Sequence, residues 1–395
     1  MPTTIDLARV RADTPGCRDH IHLNNAGSSL PTRQTLDAQI AYLTREALEG
    51  GYEVARAHES DWRSLYDTIA GLIGASAREI ALTGNATEAW QLGFHSFDFR
   101  PGDRILTGEA SYASNFISFL KMEQERDVSI EVIASDAHGQ TSAAELERML
   151  DERVRLIALT HIPTNGGLIN PAADIGAVAN AAGIPFLLDA CQSVGQLVVD
   201  VSGIGCDMLS ATGRKFLRGP RGTGFLYVSN EILGRTRPPF LDLRGATWTD
   251  RYHYVMRDDA RRYETWEFNV GASLALGVAV EYATRLGMAA IEQRVVALAG
   301  QLRSQLESID RVTVHDVGLR RGAIVTFSVD GVDADIVARQ LAGRRVAVST
   351  STPASTLLDA TRRKLPDVVR ASVHYFLTED ELRDAAAHVA ELAGG

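Results

Sequence analysis

The sequence predicts an α/β fold: a mostly parallel seven-stranded sheet in a large domain, followed by a smaller α+β domain. Three observations carry that expectation. Short apolar runs alternate with helix-length segments between residues 79 and 228; a polar, aromatic stretch without clear periodicity follows; the last third then mixes strand-like runs with helical patterns. A chain of 395 residues is also too long for one ordinary domain.

The first clear amphipathic helix covers 59–71, where Trp62, Leu65, Tyr66 and Ile69 recur at helical spacing. The strand-like runs are 79–83, 104–107, 129–134, 154–160, 185–188, 207–210 and 224–228. Helix-length segments separate the first five, as in parallel strands covered by helices. The last two are close together and belong to an edge or a hairpin. Residues 234–268, rich in Arg, Asp, Tyr and Trp, read as a wrapping or bridging loop. A long helical pattern at roughly 273–306 precedes strand-like runs at 312–315 and 323–329, a helix at 334–342, and runs at 346–348 and 369–376. Thr378 and Glu381 form a capping box that opens the final helix. The expected organisation is an N-terminal arm (1–20), a large domain (21–268) and a small domain (269–395).

Composition narrows the function. Hydrophobic residues at 45% and charged residues at 23% fit a globular chain, and a net charge of −10 argues against a nucleic-acid partner. No apolar run is long enough to span a bilayer, and residues 1–6 lack the cationic-then-apolar pattern of a secretory leader. Cys17, Cys191 and Cys206 show neither metal-type spacing nor a disulfide framework, which fits a reducing, cytoplasmic compartment and no metal site.

Four segments carry chemistry. Asp189 ends a buried apolar run, where α/β sheets bind ligands. A carboxylate there needs a cationic or hydrogen-bonding partner, unless it caps the next helix. Lys215 lies in a turn with three arginines (214, 218 and 221) among glycines and a proline. A rigid cationic turn lowers a lysine's pKa and suits an amine nucleophile; a solvated basic turn is the alternative. Neither GxxxxGK[ST] nor GxGxxG occurs in it. Thr87 follows a strand and a glycine turn at a helix start, either binding a phosphate or capping its own helix. Arg370, just inside an apolar strand, calls for a carboxylate, from a substrate or a structural Asp.

In that order these segments resemble the class V aminotransferase family, a branch of the fold-type I pyridoxal 5'-phosphate (PLP) enzymes that includes cysteine desulfurases. The likeness runs from His22-Leu23-Asn24-Asn25-Ala26-Gly27 to the last helix. Asp189-Ala190-Cys191-Gln192-Ser193 is similar to the family's D-x-x-Q-S, and Thr212-Gly213-Arg214-Lys215 to its S-x-H-K. The resemblance implies PLP held as a Schiff base on Lys215, the catalytic residue. It places Asp189 on the pyridine nitrogen and Gln192 on the 3'-oxygen. Ala86, Thr87, Thr212 and Arg214 fall on phosphate contacts, while His161 and Asn165 lie in a segment beside cofactor and substrate. Arg370 would hold the substrate α-carboxylate, with Asn25 also near the substrate, and the site would form in a homodimer.

Departures from the pattern set further expectations. Arg214 stands where the family has histidine, and Ala110 where an E-H pair has its histidine, leaving Tyr112 as the ring-stacking substitute or a core residue. Trp266-Glu267 replaces a G-T pair that reaches the neighbouring subunit's phosphate. Residues 344–369 contain no cysteine, which argues against a persulfide-forming desulfurase, and Cys191 is expected to fill a small buried site. The resulting expectation is a C–S lyase: β-elimination on a cysteine conjugate, with Lys215 as general base for the Cα proton. The alternatives are an aminotransferase or an isopenicillin N epimerase-like racemase; the latter needs a second base from His161, Tyr112 or His374. The stretch 248–266 would line the entrance, hinting at a side chain larger than that of alanine. A nucleotide-dependent enzyme lacks its phosphate motif here, and a cofactor-free binding protein would not need both Asp189 and Lys215.

Overall fold

The computed structural model describes residues 5–394. Its central sheet has seven strands: β1 (Ile80–Thr83), β2 (Arg104–Gly108), β3 (Ser129–Ile133), β4 (Val154–Thr160), β5 (Phe186–Asp189), β6 (Met208–Thr212) and β7 (Gly224–Val228). Their order is β1-β7-β6-β5-β4-β2-β3. All neighbours from β6 to β3 pair in parallel, while β7 runs antiparallel to both β6 and β1. The fold is the fold-type I α/β architecture.

β5, β6 and β7 are buried at every position because helices cover both sheet faces, which is why they read as mostly apolar runs, with Asp189 ending β5 and Ser210 and Thr212 the polar positions of β6. β7 pairs with β6 as a hairpin partner would, yet it is not an edge. β1 adds outside it, and the complete burial of Gly-Phe-Leu-Tyr-Val follows from having a neighbour on each side. β3, at the opposite edge, is only partly buried.

The helical pattern near 273–306 is two helices. Val270–Leu286 and Met288–Glu307 meet at an 82° bend, and Gly287 between them has a φ of 86°, a left-handed value that favours glycine. The first packs on Arg33–Glu49 and Glu59–Ile73. Among the described residues no single helix is long and apolar enough to cross a membrane. The stretch read as a loop holds an antiparallel hairpin, Ala246–Asp250 with His253–Met256. Its residues are exposed on both faces, so no apolar alternation marked it.

The last third builds a second, antiparallel sheet from β8 (Val312–Val314), β9 (Ile324–Val329), β10 (Ser349–Ser351) and β11 (Val368–Ser372), ordered β8-β9-β11-β10. β10 was not expected, since Ser-Thr-Ser offers no apolar face to read. The run near 346 pairs instead in parallel with Ile21 and His22. The helix Glu379–Gly394 opens on the capping box: Glu381 N–H donates to Thr378 Oγ1 at 3.1 Å, and Thr378 N–H to Glu381 Oε2 at 2.8 Å.

Candidate active site

The carboxyl ends of β4, β5 and β6 stand side by side, with Thr160 paired to Asp189 and Asp189 to Ser210. Above them lies a cavity of about 320 Å³, lined among others by Ala86, Thr87, Tyr112, Asp189, Gln192, Thr212, Arg214, Lys215 and Arg370. Nine of the sequence-selected residues therefore converge, as expected at a strand-end crevice of an α/β sheet.

Asp189 is 6% exposed. Asn115 Nδ2 donates to its Oδ2 at 2.8 Å, and the Cys191 backbone N–H to its Oδ1 at 3.0 Å. Burial pushes this carboxyl above the usual range, while the two donors and the Lys215 ammonium pull it back. It caps no helix: a turn follows it, and the next helix, Val201–Ile204, is capped by Asp200.

The Lys215 turn is not a solvated one. Arg218, three residues on, is 1% exposed and donates to Leu30 O, Tyr375 Oη and Thr14 Oγ1, with its guanidinium over the rings of Tyr375 and Phe376. The Arg214 guanidinium donates to Gly27 O, and its carbonyl accepts from Ser29 N–H at 2.8 Å. These anchors fix the backbone on both sides of Lys215, whose Nζ lies 3.2 Å from Cys191 Sγ.

The helix Ala86–Phe94 points its N-terminus at the same cavity. Asn85, not Thr87, caps it by accepting from Glu88 N–H at 2.9 Å, so the Thr87 hydroxyl is not spent on capping. Gly224 lets β7 approach this turn: a Cβ there would meet Asn85 Cα at 3.0 Å and Ala211 O at 2.7 Å. Unpaired N–H groups at a helix start, with Thr87, Thr212 and Arg214 on the same cavity, suit a phosphate.

Arg370, on β11, donates to Thr164 Oγ1 at 2.6 Å and to Ser349 Oγ at 3.1 Å. Its partners are hydroxyls and a carbonyl, and no structural Asp meets it among the described residues. Burial and the nearby Arg214 charge pull its pKa down, the condition of a cation that gains from an arriving carboxylate.

Three selected residues lie outside the cavity lining. Asn25 is fully buried, donating to His22 O at 3.0 Å and Ser372 O at 2.8 Å and accepting from Ser29 Oγ at 2.7 Å. Asn165 donates to Thr352 O and Thr356 Oγ1 and accepts from Ser351 Oγ. Both amides hold polypeptide. His161 follows β4 with its side chain away from the lining formed by Thr160 and Ile162; it is 6% exposed, its Nδ1 has no partner, and burial pulls it down to about 4. His374 has both ring nitrogens engaged, with Phe216 O and Tyr375 N–H. Of the three candidate second bases, only Tyr112 reaches the cavity.

Sequence reasoning missed Asn115 and Thr164, and it assigned Cys191 to packing although that thiol lines the cavity. Asn115 carried one readable signal: it follows Tyr112 by three positions, one turn along a helix start.

The donor set fits PLP. Gln192 lines the cavity, is 4% exposed, and its Oε1 is buried without a partner. A buried carboxylate suits a protonated ring nitrogen, Lys215 supplies an amine for an aldehyde, and the Ala86 helix start suits the phosphate.

The sequence profile of the class V aminotransferases matches residues 21–384. The chain belongs to the class V aminotransferase family. It is a PLP-dependent enzyme, in keeping with that family's cofactor. A relative named probable cysteine desulfurase, from Methanothermobacter thermautotrophicus, is 30% identical over 98% of both chains. The apo structure of a cysteine desulfurase from Thermococcus onnurineus superposes with a TM-score of 0.93 at 23% identity, covering 100% of each chain. A C-DES variant solved with glycine covalently linked to its PLP cofactor gives a TM-score of 0.87 at 22% identity, over 96% of this chain and 99% of that one.

The desulfurase relatives overturn two expectations: that the chain is no persulfide-forming desulfurase, and that it is a C–S lyase for cysteine conjugates, with an aminotransferase or epimerase as alternatives. Residues 344–369 lack a thiol. That absence removes one place for a sulfur acceptor and leaves the bond-breaking apparatus untouched.

Proposed function

We propose that this class V family member is a PLP-dependent cysteine desulfurase, which takes the sulfur from cysteine and leaves alanine. The convergence of Lys215, Asp189 and Arg370 on one cavity carries the reading, and the desulfurase relative at 30% identity gives it direction. At about 320 Å³ the cavity is at the small end of ligand pockets, roughly 300–1,000 Å³, which favours a small amino acid.

PLP supplies the electron sink that weakens bonds around Cα. In this reading Lys215 would bind it, with Asp189 available to its ring nitrogen, Gln192 to its 3'-oxygen and Tyr112 to its ring. Thr87, Thr212, Arg214 and the N–H groups around Ala86 would hold the phosphate. Arg370, positioned by Thr164 and Ser349, fixes the substrate carboxylate, and the Lys215 amine moves the Cα proton.

The enzyme is proposed to act as a cytoplasmic homodimer. Leu36, Ile40 and Leu43 form an exposed apolar stripe on the helix Arg33–Glu49, suited to a second copy, and the three unpaired cysteines fit a reducing compartment. Light scattering on the eluting protein should give twice the chain mass.

The deciding experiment incubates the PLP-loaded enzyme with L-cysteine and a reducing thiol. Equimolar alanine and sulfide are expected. Pyruvate and ammonia in place of alanine would overturn the proposal.

A further inference from the structure

Resting on the desulfurase reading, we infer that Cys191 is the sulfur acceptor, receiving the substrate's sulfur as a persulfide beside Lys215. Of the three cysteines only Cys191 lines the cavity; Cys17 and Cys206 are buried in the core. Its Sγ lies 3.2 Å from Lys215 Nζ, the atom that the substrate's amine must replace. A thiol therefore stands next to the amine that the substrate's own amine displaces. The unpartnered Gln192 Oε1 on the same lining marks a space built for a ligand, the cofactor that Lys215 would carry beside Cys191.

The small domain offers no alternative thiol. The segment 351–356 is Ser-Thr-Pro-Ala-Ser-Thr. It is latched to Asn165 through Ser351, the Thr352 carbonyl and Thr356, next to the cavity-lining Thr164. A segment held at three of its residues is fixed in place and brings no thiol to the cavity.

The chemistry balances without an outside oxidant. Cys191 gives its thiol proton to the Lys215 amine, and the thiolate attacks the substrate sulfur. An S–S bond forms as the Cβ–S bond breaks, and that bond's electron pair stays with Cβ. Cβ then takes up one proton, matching the one Cys191 lost, and alanine leaves. The carbon is reduced as the sulfur is oxidised to the persulfide level. Burial pushes the Cys191 thiol up while the Lys215 ammonium pulls it back, so the thiolate forms only with the lysine's help.

The test is a single turnover of the PLP-loaded enzyme with L-cysteine and no reducing thiol. The mixture is quenched with an alkylating reagent, its alanine is measured, and the three cysteine peptides are weighed. The expected result is a burst of one alanine per site, with one extra sulfur on the Cys191 peptide. Cys191→Ser and Cys191→Ala should keep the cofactor absorbance and borohydride fixation, yet lose the burst by more than about ten-fold. Either variant suffices if the other fails to fold. Alanine with the added sulfur on Cys17, on Cys206 or on no peptide, or a wild-type burst in a loaded variant, overturns the acceptor role and leaves the desulfurase reading standing. No alanine from the wild type overturns both.

Discussion

Asn115 Nδ2 donates to Asp189 Oδ2 at 2.8 Å, tying the helix Ala113–Arg126 to the carboxyl end of β5. This bond and the Cys191 N–H stabilise the charged form of a buried carboxylate that burial disfavours. Removing a partner from a buried acceptor costs about 1–3 kcal/mol. Asn115→Ala should therefore lower kcat by roughly ten-fold or more and move the acid limb of the pH–rate profile upward. Asn115→Ser, which keeps a donor, should lose less. An unchanged acid limb in Asn115→Ala would show that the amide merely fills space.

The same carboxylate sets a pH dependence in the apoprotein. Asp189 is raised above its unfolded value, so the native state keeps a proton that the unfolded chain has released. Apoprotein stability from this group thus falls as pH rises from the unfolded carboxylate value through the folded one. Asp189→Asn has no charge to bury. Its apoprotein should melt higher than wild-type apoprotein at pH 7, and the difference should shrink at pH 4. Adding PLP should raise the wild-type melting temperature and leave that of the variant nearly unmoved. A variant apoprotein that melts lower at both pH values would refute this.

His161 works in the opposite direction. Burial depresses it from the usual 6.5 to about 4, so the native state holds it neutral while the unfolded chain protonates first. Its contribution is present above pH 6.5 and is lost as pH falls toward 4. At 1.36 kcal/mol per pH unit the full loss is about 3 kcal/mol, most of it spent by pH 5. Because Nδ1 has no partner, His161→Leu strands no hydrogen-bond acceptor. Urea unfolding at pH 7 and pH 5 should show a smaller drop for His161→Leu than for wild type. Equal drops would mean that His374, also buried and depressed, carries the acid sensitivity instead.

How much of this was readable follows from which atoms the sequence specifies. β5 was legible because a strand buried on both faces is apolar almost throughout, and Asp189 stood out as the charge that ends it. Lys215 was legible through its glycine-rich turn and its place after Asp189. The hairpin Ala246–Asp250 and strand β10 were not, since neither has an apolar face for a period-2 pattern. Asn25 and Asn165 misled because an amide beside a site reads the same whether it grips a substrate or the chain. Cys191 read as packing for a related reason: a small residue beside Asp189 looks the same whether it fills the core or lines a cavity, and its 3.2 Å approach to Lys215 Nζ is a tertiary contact that the sequence does not spell out.

Arg370 should separate binding from chemistry. Its Nη1 rests on Thr164 Oγ1 and its Nε on Ser349 Oγ, which orient the guanidinium without neutralising it. A substrate carboxylate would be its first anionic partner, worth about 1.5–3 kcal/mol for a charge-assisted pair. Arg370→Ala should accordingly raise KM for the amino acid by roughly 10- to 150-fold, with a smaller change in kcat. Arg370→Lys keeps the charge but loses the fork, and should recover only part of the affinity. Thr164→Val removes one orienting acceptor and should raise KM modestly with kcat nearly constant. The cofactor's absorbance should stay unchanged in all three variants. Loss of the bound cofactor in Arg370→Ala, or a fall in kcat with KM unmoved, would place this arginine on something other than the substrate carboxylate.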